Sequence, residues 1–131
     1  MCVFCKIIEG SIPSYKVYED ENVLAILDIS QATIGHTLVM PKKHVRNFTE
    51  ADEEVILNVF KVVGELSKKI CANLNCDCNI LNNNGSIAGQ TVEHLHVHII
   101  PRYKGDSFEI NFPSNKLSSD EFNSLLNKIS K

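Results

Sequence analysis

Three histidines in strict alternation with apolar residues, His94-Leu95-His96-Val97-His98-Ile99-Ile100, constrain this chain more than any other feature. Side chains on a strand alternate between faces. His94, His96 and His98 therefore share one face, and Leu95, Val97 and Ile99 point the other way into a core. Three imidazoles in a row are costly unless each finds a partner. One reading is a merely solvated face. A second is a metal site, because imidazoles at two-residue spacing can share an ion. A third is nucleophilic catalysis: an imidazole with a pKa of about 6.5 is largely neutral near pH 7. It can attack phosphorus and form a labile P–N bond.

The preceding segment, Asn82-Asn83-Asn84-Gly85-Ser86-Ile87-Ala88-Gly89-Gln90-Thr91, places amide, hydroxyl and backbone N–H donors beside the histidines. Glycine allows backbone to approach an anion, and such donors suit a phosphoryl transition state. An ordinary polar loop has the same composition. Elsewhere the pattern predicts strands at Lys16–Glu19, Val23–Ile29, His36–Met40, Asn79–Leu81 and His94–Ile100. The first two form a hairpin around Asp20-Glu21-Asn22. A short helical turn ends at Gly10. Thr49 is expected to cap the longest helix, which runs to about Leu74 with a core stripe of Val55, Val59, Val62, Leu66 and Ile70. Ser118 and Glu121 form a capping box for a C-terminal helix. Lys104 to Leu117 is polar and turn-rich, and reads as the most mobile segment. The order of elements argues an α+β domain with a mainly antiparallel five-stranded sheet, one long helix and a C-terminal helix.

The 131 residues are the size of one ordinary domain, read here as 1–131, and 44% hydrophobic residues can supply a core. A net charge of −3 argues against binding a nucleic acid polymer through a basic surface. No apolar run is long enough for a membrane span. Met1 to Lys6 lacks the layout of a signal peptide, and five cysteines cannot all pair within one chain. A reducing, cytoplasmic setting is expected.

The run from His94 to Ile100 resembles the signature of the histidine triad (HIT) family, His-φ-His-φ-His-φ-φ with φ apolar. Gly89-Gln90-Thr91-Val92 and Pro101-Arg102 around it are similar to that family too. So are Ile7-Ile8-Glu9-Gly10 with Ile12-Pro13, Val17-Tyr18-Glu19-Asp20-Glu21 and Leu27-Asp28-Ile29-Ser30. Gly35-His36-Thr37-Leu38-Val39 with Pro41-Lys42-Lys43-His44 completes a resemblance spanning about residues 2–108 in unbroken order, nearest to the Hint-like and bacterial Hit branch. Residues 105–131 match less well. There is no tryptophan, so the Trp-bearing tail of some nucleoside phosphoramidases is absent and leaving-group specificity is left open.

The resemblance implies a HIT-like fold and an enzyme acting at the α-phosphate of purine nucleoside phosphoramidates or dinucleoside polyphosphates. His96 takes the role of nucleophile and forms a covalent nucleotidyl-histidine. His98 binds phosphate, and His94 supports them or ligates zinc. Asn83, Gly89, Gln90 and Thr91 fall on phosphate-binding positions. Asp28 matches the carboxylate that holds the ribose, and Ile8, Ile26, Leu27 and Ile29 give an apolar base pocket. Members carrying an N-terminal Cys pair look like zinc proteins, which implies a structural zinc on Cys2, Cys5, His44 and His94. Taken alone, Cys2-Val3-Phe4-Cys5 is only the spacing of half a zinc site. Cys71, Cys76 and Cys78 are read as core or loop thiols. The family also implies a homodimer with the long helix at its interface. The competing classes are a nucleotide-binding or scaffold protein with little catalysis, and a metal-binding module in which His96 itself would hold zinc.

Overall fold

The computed structural model describes residues 2–130. Its elements are α1 (Val3–Glu9), β1 (Lys16–Glu19), β2 (Val23–Leu27), β3 (Thr37–Pro41), α2 (Glu53–Leu74), β4 (Asp77–Leu81), β5 (Val97–Arg102) and α3 (Ser119–Ile129). The five strands form one antiparallel sheet in the order β1-β2-β3-β5-β4. This is the expected α+β architecture.

Strand alternation gives the sheet two distinct faces. On one face Val23, Ala25, Val39, Val97 and Ile99 pack against Val59, Val62, Val63 and Leu66 of α2. On the other, Leu24, Ile26, Leu38 and Met40 meet Phe4, with Ile7 and Ile8 packed alongside. His98 is opposite Leu38 in the ladder and shares that second face. The long helix thus fills one face and leaves the other for a short helix and the histidines.

Several boundaries differ from the sequence expectation. Thr49 does not cap α2. Asn47 Oδ1 accepts from the Thr49 backbone N at 3.0 Å and from its hydroxyl at 2.6 Å, and this winds Phe48–Glu50 into a short 3₁₀ turn. Ala51 is then extended, and α2 starts afresh at Glu53 behind Asp52. In the apolar stripe Val63 is buried, while Val55 and Ile70 are only partly so. β2 stops at Leu27 rather than Ile29, because Asp28 Oδ1 accepts from Ser30 N and starts a turn. β4 begins earlier than expected, with Asp77 and Cys78 paired to Arg102 and Pro101. β5 begins only at Val97. Before it, Leu95 N donates to Val45 O at 2.8 Å and His96 O accepts from Asn82 Nδ2 at 2.9 Å, so loops rather than a strand pair this stretch. The Ser118–Glu121 capping box is present.

Candidate active site

The alternation of faces survives although the strand starts late. Leu95, Val97 and Ile99 are fully buried, and the three imidazoles lie on the α1 side. Their ring protons are assigned by their partners. His94 Nε2 lies 2.8 Å from the carbonyl of Pro41, so it carries the proton and Nδ1 keeps a lone pair. His96 Nδ1 lies 2.7 Å from the carbonyl of His94, so it donates and Nε2 is left as a nucleophile. His98 is set indirectly. The backbone N–H of Ala32 donates to His36 Nδ1 at 3.2 Å, which puts the His36 proton on Nε2. That proton faces His98 Nδ1 at 2.9 Å, leaving His98 a protonated Nε2 that can donate to a phosphate oxygen.

Burial lowers the pKa of all three triad histidines. Carbonyl bonds partly oppose this at His94 and His96. At His98 burial, reinforced by the neighbouring His96 and His36, lowers the value to about 4. Near pH 7 the site therefore holds neutral imidazoles, the form in which an imidazole can attack or ligate.

Beside the histidines is a cleft of about 460 Å³ lined by Val3, Phe4, Ile7, Ile12, Tyr15, Ile26, Leu27, Asp28, Ile29 and Leu38, among others. Asp28 lies at its edge, with Oδ2 3.8 Å from His36 Nε2. Of the expected base-pocket residues, Ile26, Leu27 and Ile29 line this cleft, Ile29 being largely exposed. Ile8 packs against the core cluster of Leu24, Ile26 and Leu38, and Ile7 on the same helix lines the cleft.

The donor loop divides its amides between structure and ligand. Asn82 and Asn84 are occupied: Asn84 bonds to Asn82, and Asn84 Oδ1 accepts from Phe48 N at 2.9 Å. Gln90 is also committed. Its Oε1 accepts from Gly85 N and Asn47 Nδ2, and its Nε2 donates to Arg46 O at 2.7 Å and Val92 O at 3.0 Å. It braces the loop and has no amide group free for a phosphate. Among the described residues, the Asn83 amide has only a long 3.4 Å bond, from Nδ2 to Gly89 O. Gly89 has φ +91°, the left-handed region where glycine is at ease, and a Cβ there would meet Asn83 Nδ2 at 3.4 Å. Thr91 is exposed.

Cys2, Cys5, His44 and His94 converge at the other end of the triad, with ligand atoms all within 4.8 Å of one another. Zinc bonds of about 2.3 Å to sulfur and 2.0–2.1 Å to nitrogen imply tetrahedral edges of about 3.6 Å for S···N and 3.3 Å for N···N. The observed separations are 3.5 Å for Cys2–His94, 3.3 Å for Cys5–His44, 3.6 Å for Cys5–His94 and 3.2 Å for His44–His94. The donor set and its spacing fit zinc with no open position.

Two features escaped the sequence reading. His36 was placed at the start of a strand, yet it is buried and orients His98. Its neighbour Gly35 and its pairing distance from Asp28 carry no spacing rule that marks it. On α1 the sequence reading expects Ile8 in the base pocket, whereas Val3, Phe4 and Ile7 line the cleft and Ile8 packs against the core.

The HIT domain family profile matches residues 9–105. A protein of Bacillus subtilis named protein hit is 56% identical over 109 residues, covering 82% of this chain and 75% of that one. A Schizosaccharomyces pombe protein named adenosine 5'-monophosphoramidase is 38% identical over 130 residues, covering 98% and 96%. Among solved structures, a HIT family protein of Bacillus subtilis superimposes with a TM-score of 0.93 at 47% identity, covering 98% of this chain and 94% of its own. A zinc-bound histidine triad family protein of Mycobacterium smegmatis gives 0.78 at 37% identity, covering 98% and 95%.

Proposed function

The chain belongs to the HIT domain family, and on that premise we propose that it is a nucleotide hydrolase that attacks the α-phosphate with His96 Nε2. The observation that carries this reading is the fixed tautomer of His96, whose Nδ1–H is held by the His94 carbonyl at 2.7 Å. A neutral lone pair then faces the site without any strong base. As the Nε2–P bond forms, the bond from phosphorus to the leaving group breaks and its electron pair departs with that group, an amine leaving group taking a proton from water; the proton is returned when water attacks in the second step. Water then attacks phosphorus, breaks the P–Nε2 bond and releases a nucleoside monophosphate. His98 Nε2–H, Asn83, the Gly89 backbone and Thr91 stabilise charge on the phosphoryl oxygens. His94 contributes its carbonyl to the orientation of His96.

The apolar cleft takes a purine base, and Asp28 takes the ribose hydroxyls. Its size falls within the range of about 300–1,000 Å³ usual for small-molecule sites. The relative named for monophosphoramidase activity favours a purine nucleoside phosphoramidate over a dinucleoside polyphosphate. Zinc on Cys2, Cys5, His44 and His94 is structural: when bound it ties the N-terminus to the segment that leads into β5. The protein works as a homodimer.

The test is turnover of adenosine 5'-phosphoramidate, an aminoacyl adenylate and diadenosine polyphosphates, with acid-quenched mass spectrometry for a nucleotidylated His96. Release of AMP with adduct on His96 is the expected result. A His96→Ala protein with near-normal turnover overturns the mechanism.

A further inference from the structure

Helix α1 stands between two sites and belongs to both. It has seven residues, no side-chain cap and no acidic residue in its first turn. A helix this short has little stability of its own in water, so its position depends on what holds it. Cys2, just before the helix, and Cys5 within it reach His94 and His44 at 3.3–3.6 Å. Val3, Phe4 and Ile7 form a wall of the apolar cleft. Phe4 is 7% exposed. Its ring stands edge-on to His94, with centroids 5.9 Å apart, and to His96 at 5.0 Å. One side chain thus touches a metal-ligating ring, the nucleophilic ring and the cleft.

We propose that metal binding at Cys2, Cys5, His44 and His94 and nucleotide binding in the cleft are coupled through α1, with Phe4 as the positioning residue that joins them; this rests on the nucleotide reading given above. Contacts of a thiol with an imidazole are weak, whereas a four-coordinate zinc fixes both cysteines and with them the helix. Without the metal, α1 keeps the packing of Phe4 on Leu24, Ile26 and Leu38 but loses the cysteine anchors at its start, and with them the fixed placement of Val3, Phe4 and Ile7 along the cleft. Linkage is reciprocal: whatever factor zinc contributes to nucleotide affinity, nucleotide contributes to zinc affinity.

The test uses the full chain and two readouts. Zinc-loaded protein is titrated with a colorimetric chelator in the presence and absence of AMP. AMP affinity is measured by calorimetry on loaded and zinc-stripped protein, with circular dichroism to confirm folding. The expected result is a rise of about fivefold or more in zinc affinity with AMP, and the same factor for AMP with zinc. Phe4→Leu keeps an apolar wall and most of the coupling. Phe4→Ala still binds zinc but loses the coupling. If stripped protein unfolds, AMP raises zinc affinity through folding alone, and the comparison of Phe4→Ala with the parent then decides: coupling lost in the variant supports the proposal. Equal zinc affinity with and without AMP, in protein that binds AMP, overturns the proposal. Undiminished coupling in Phe4→Ala, or a cluster that takes no zinc, does the same. Failure of every form to bind AMP overturns the nucleotide reading itself, and this inference with it.

Discussion

His96 owes its free nitrogen to a backbone carbonyl rather than to an acidic partner. A backbone acceptor cannot titrate, so the tautomer holds across a wide pH range. His96→Ala removes the attacking atom and leaves the cleft; turnover should fall about a thousandfold or more, with AMP affinity within about threefold of the parent. Single-turnover kinetics and calorimetry check the two halves. Asp28 acts on binding instead. Asp28→Ala should weaken AMP by about tenfold, the worth of a hydrogen bond to a charged group. It should leave a 2',3'-dideoxynucleotide unaffected, which competitive binding can show. His98 links the site to stability. Its folded pKa of about 4 lies below the usual value, which is about 6.5. Between those values the unfolded chain binds a proton that the folded chain refuses. Stability contributed by His98 is therefore full above pH about 6.5 and is lost as pH falls toward about 4. Thermal melts over that window should show a shallower decline for His98→Asn than for the parent.

At the scale of elements, what could be read from the sequence depended on whether one residue pattern decided the outcome. The alternation of His94 to Ile99 assigned faces correctly, because burial of Leu95, Val97 and Ile99 leaves the histidines no other side. The Ser118–Glu121 box, a purely local device, was equally readable. The start of α2 was not, since Asn47 accepts from the Thr49 amide and hydroxyl, winds Phe48–Glu50 into a 3₁₀ turn and leaves the helix to restart behind Asp52. The start of β5 was missed for a related reason: Val45 and Asn82, distant in sequence, take the hydrogen bonds a neighbouring strand would have made. The metal cluster followed from the family resemblance, which also put Ile8 of α1 in the base pocket, but that Val3, Phe4 and Ile7 form the wall instead needed the fold. The loop before β3 carries a further test. Gly35 has φ +98°, and a Cβ there would lie 2.7 Å from Leu74 Cδ1 and 3.0 Å from Pro101 Cγ. Gly35→Ala should destabilise by about 1–2 kcal/mol from backbone strain alone. It should also disturb His36 next to it. Urea denaturation and the histidine ring signals in NMR would report both.

The whole molecule presents apolar surface that its own chain leaves uncovered. Phe122, Leu125, Leu126 and Ile129 of α3 are all exposed, as are Leu57 and Phe60 on α2 and Ile80 on β4. Among the described residues no helix is long and apolar enough to cross a membrane. A second copy of the chain is the occupant we expect, so light scattering should give twice the chain mass, and removal of residues 118–131 should weaken the dimer measurably on dilution. The two edges of the sheet are not equivalent in this respect. β4 runs in unbroken register along β5. β1 has a register shift between Lys16 and Tyr18 and exposed Lys16 and Glu19. A bulge and charges on an edge discourage a further strand. An open sheet with two receptive borders can grow without end, chain upon chain. With one border blunted, joining through the other would use up the receptive side of both copies, and such an assembly would stop at two instead of extending into a fibre.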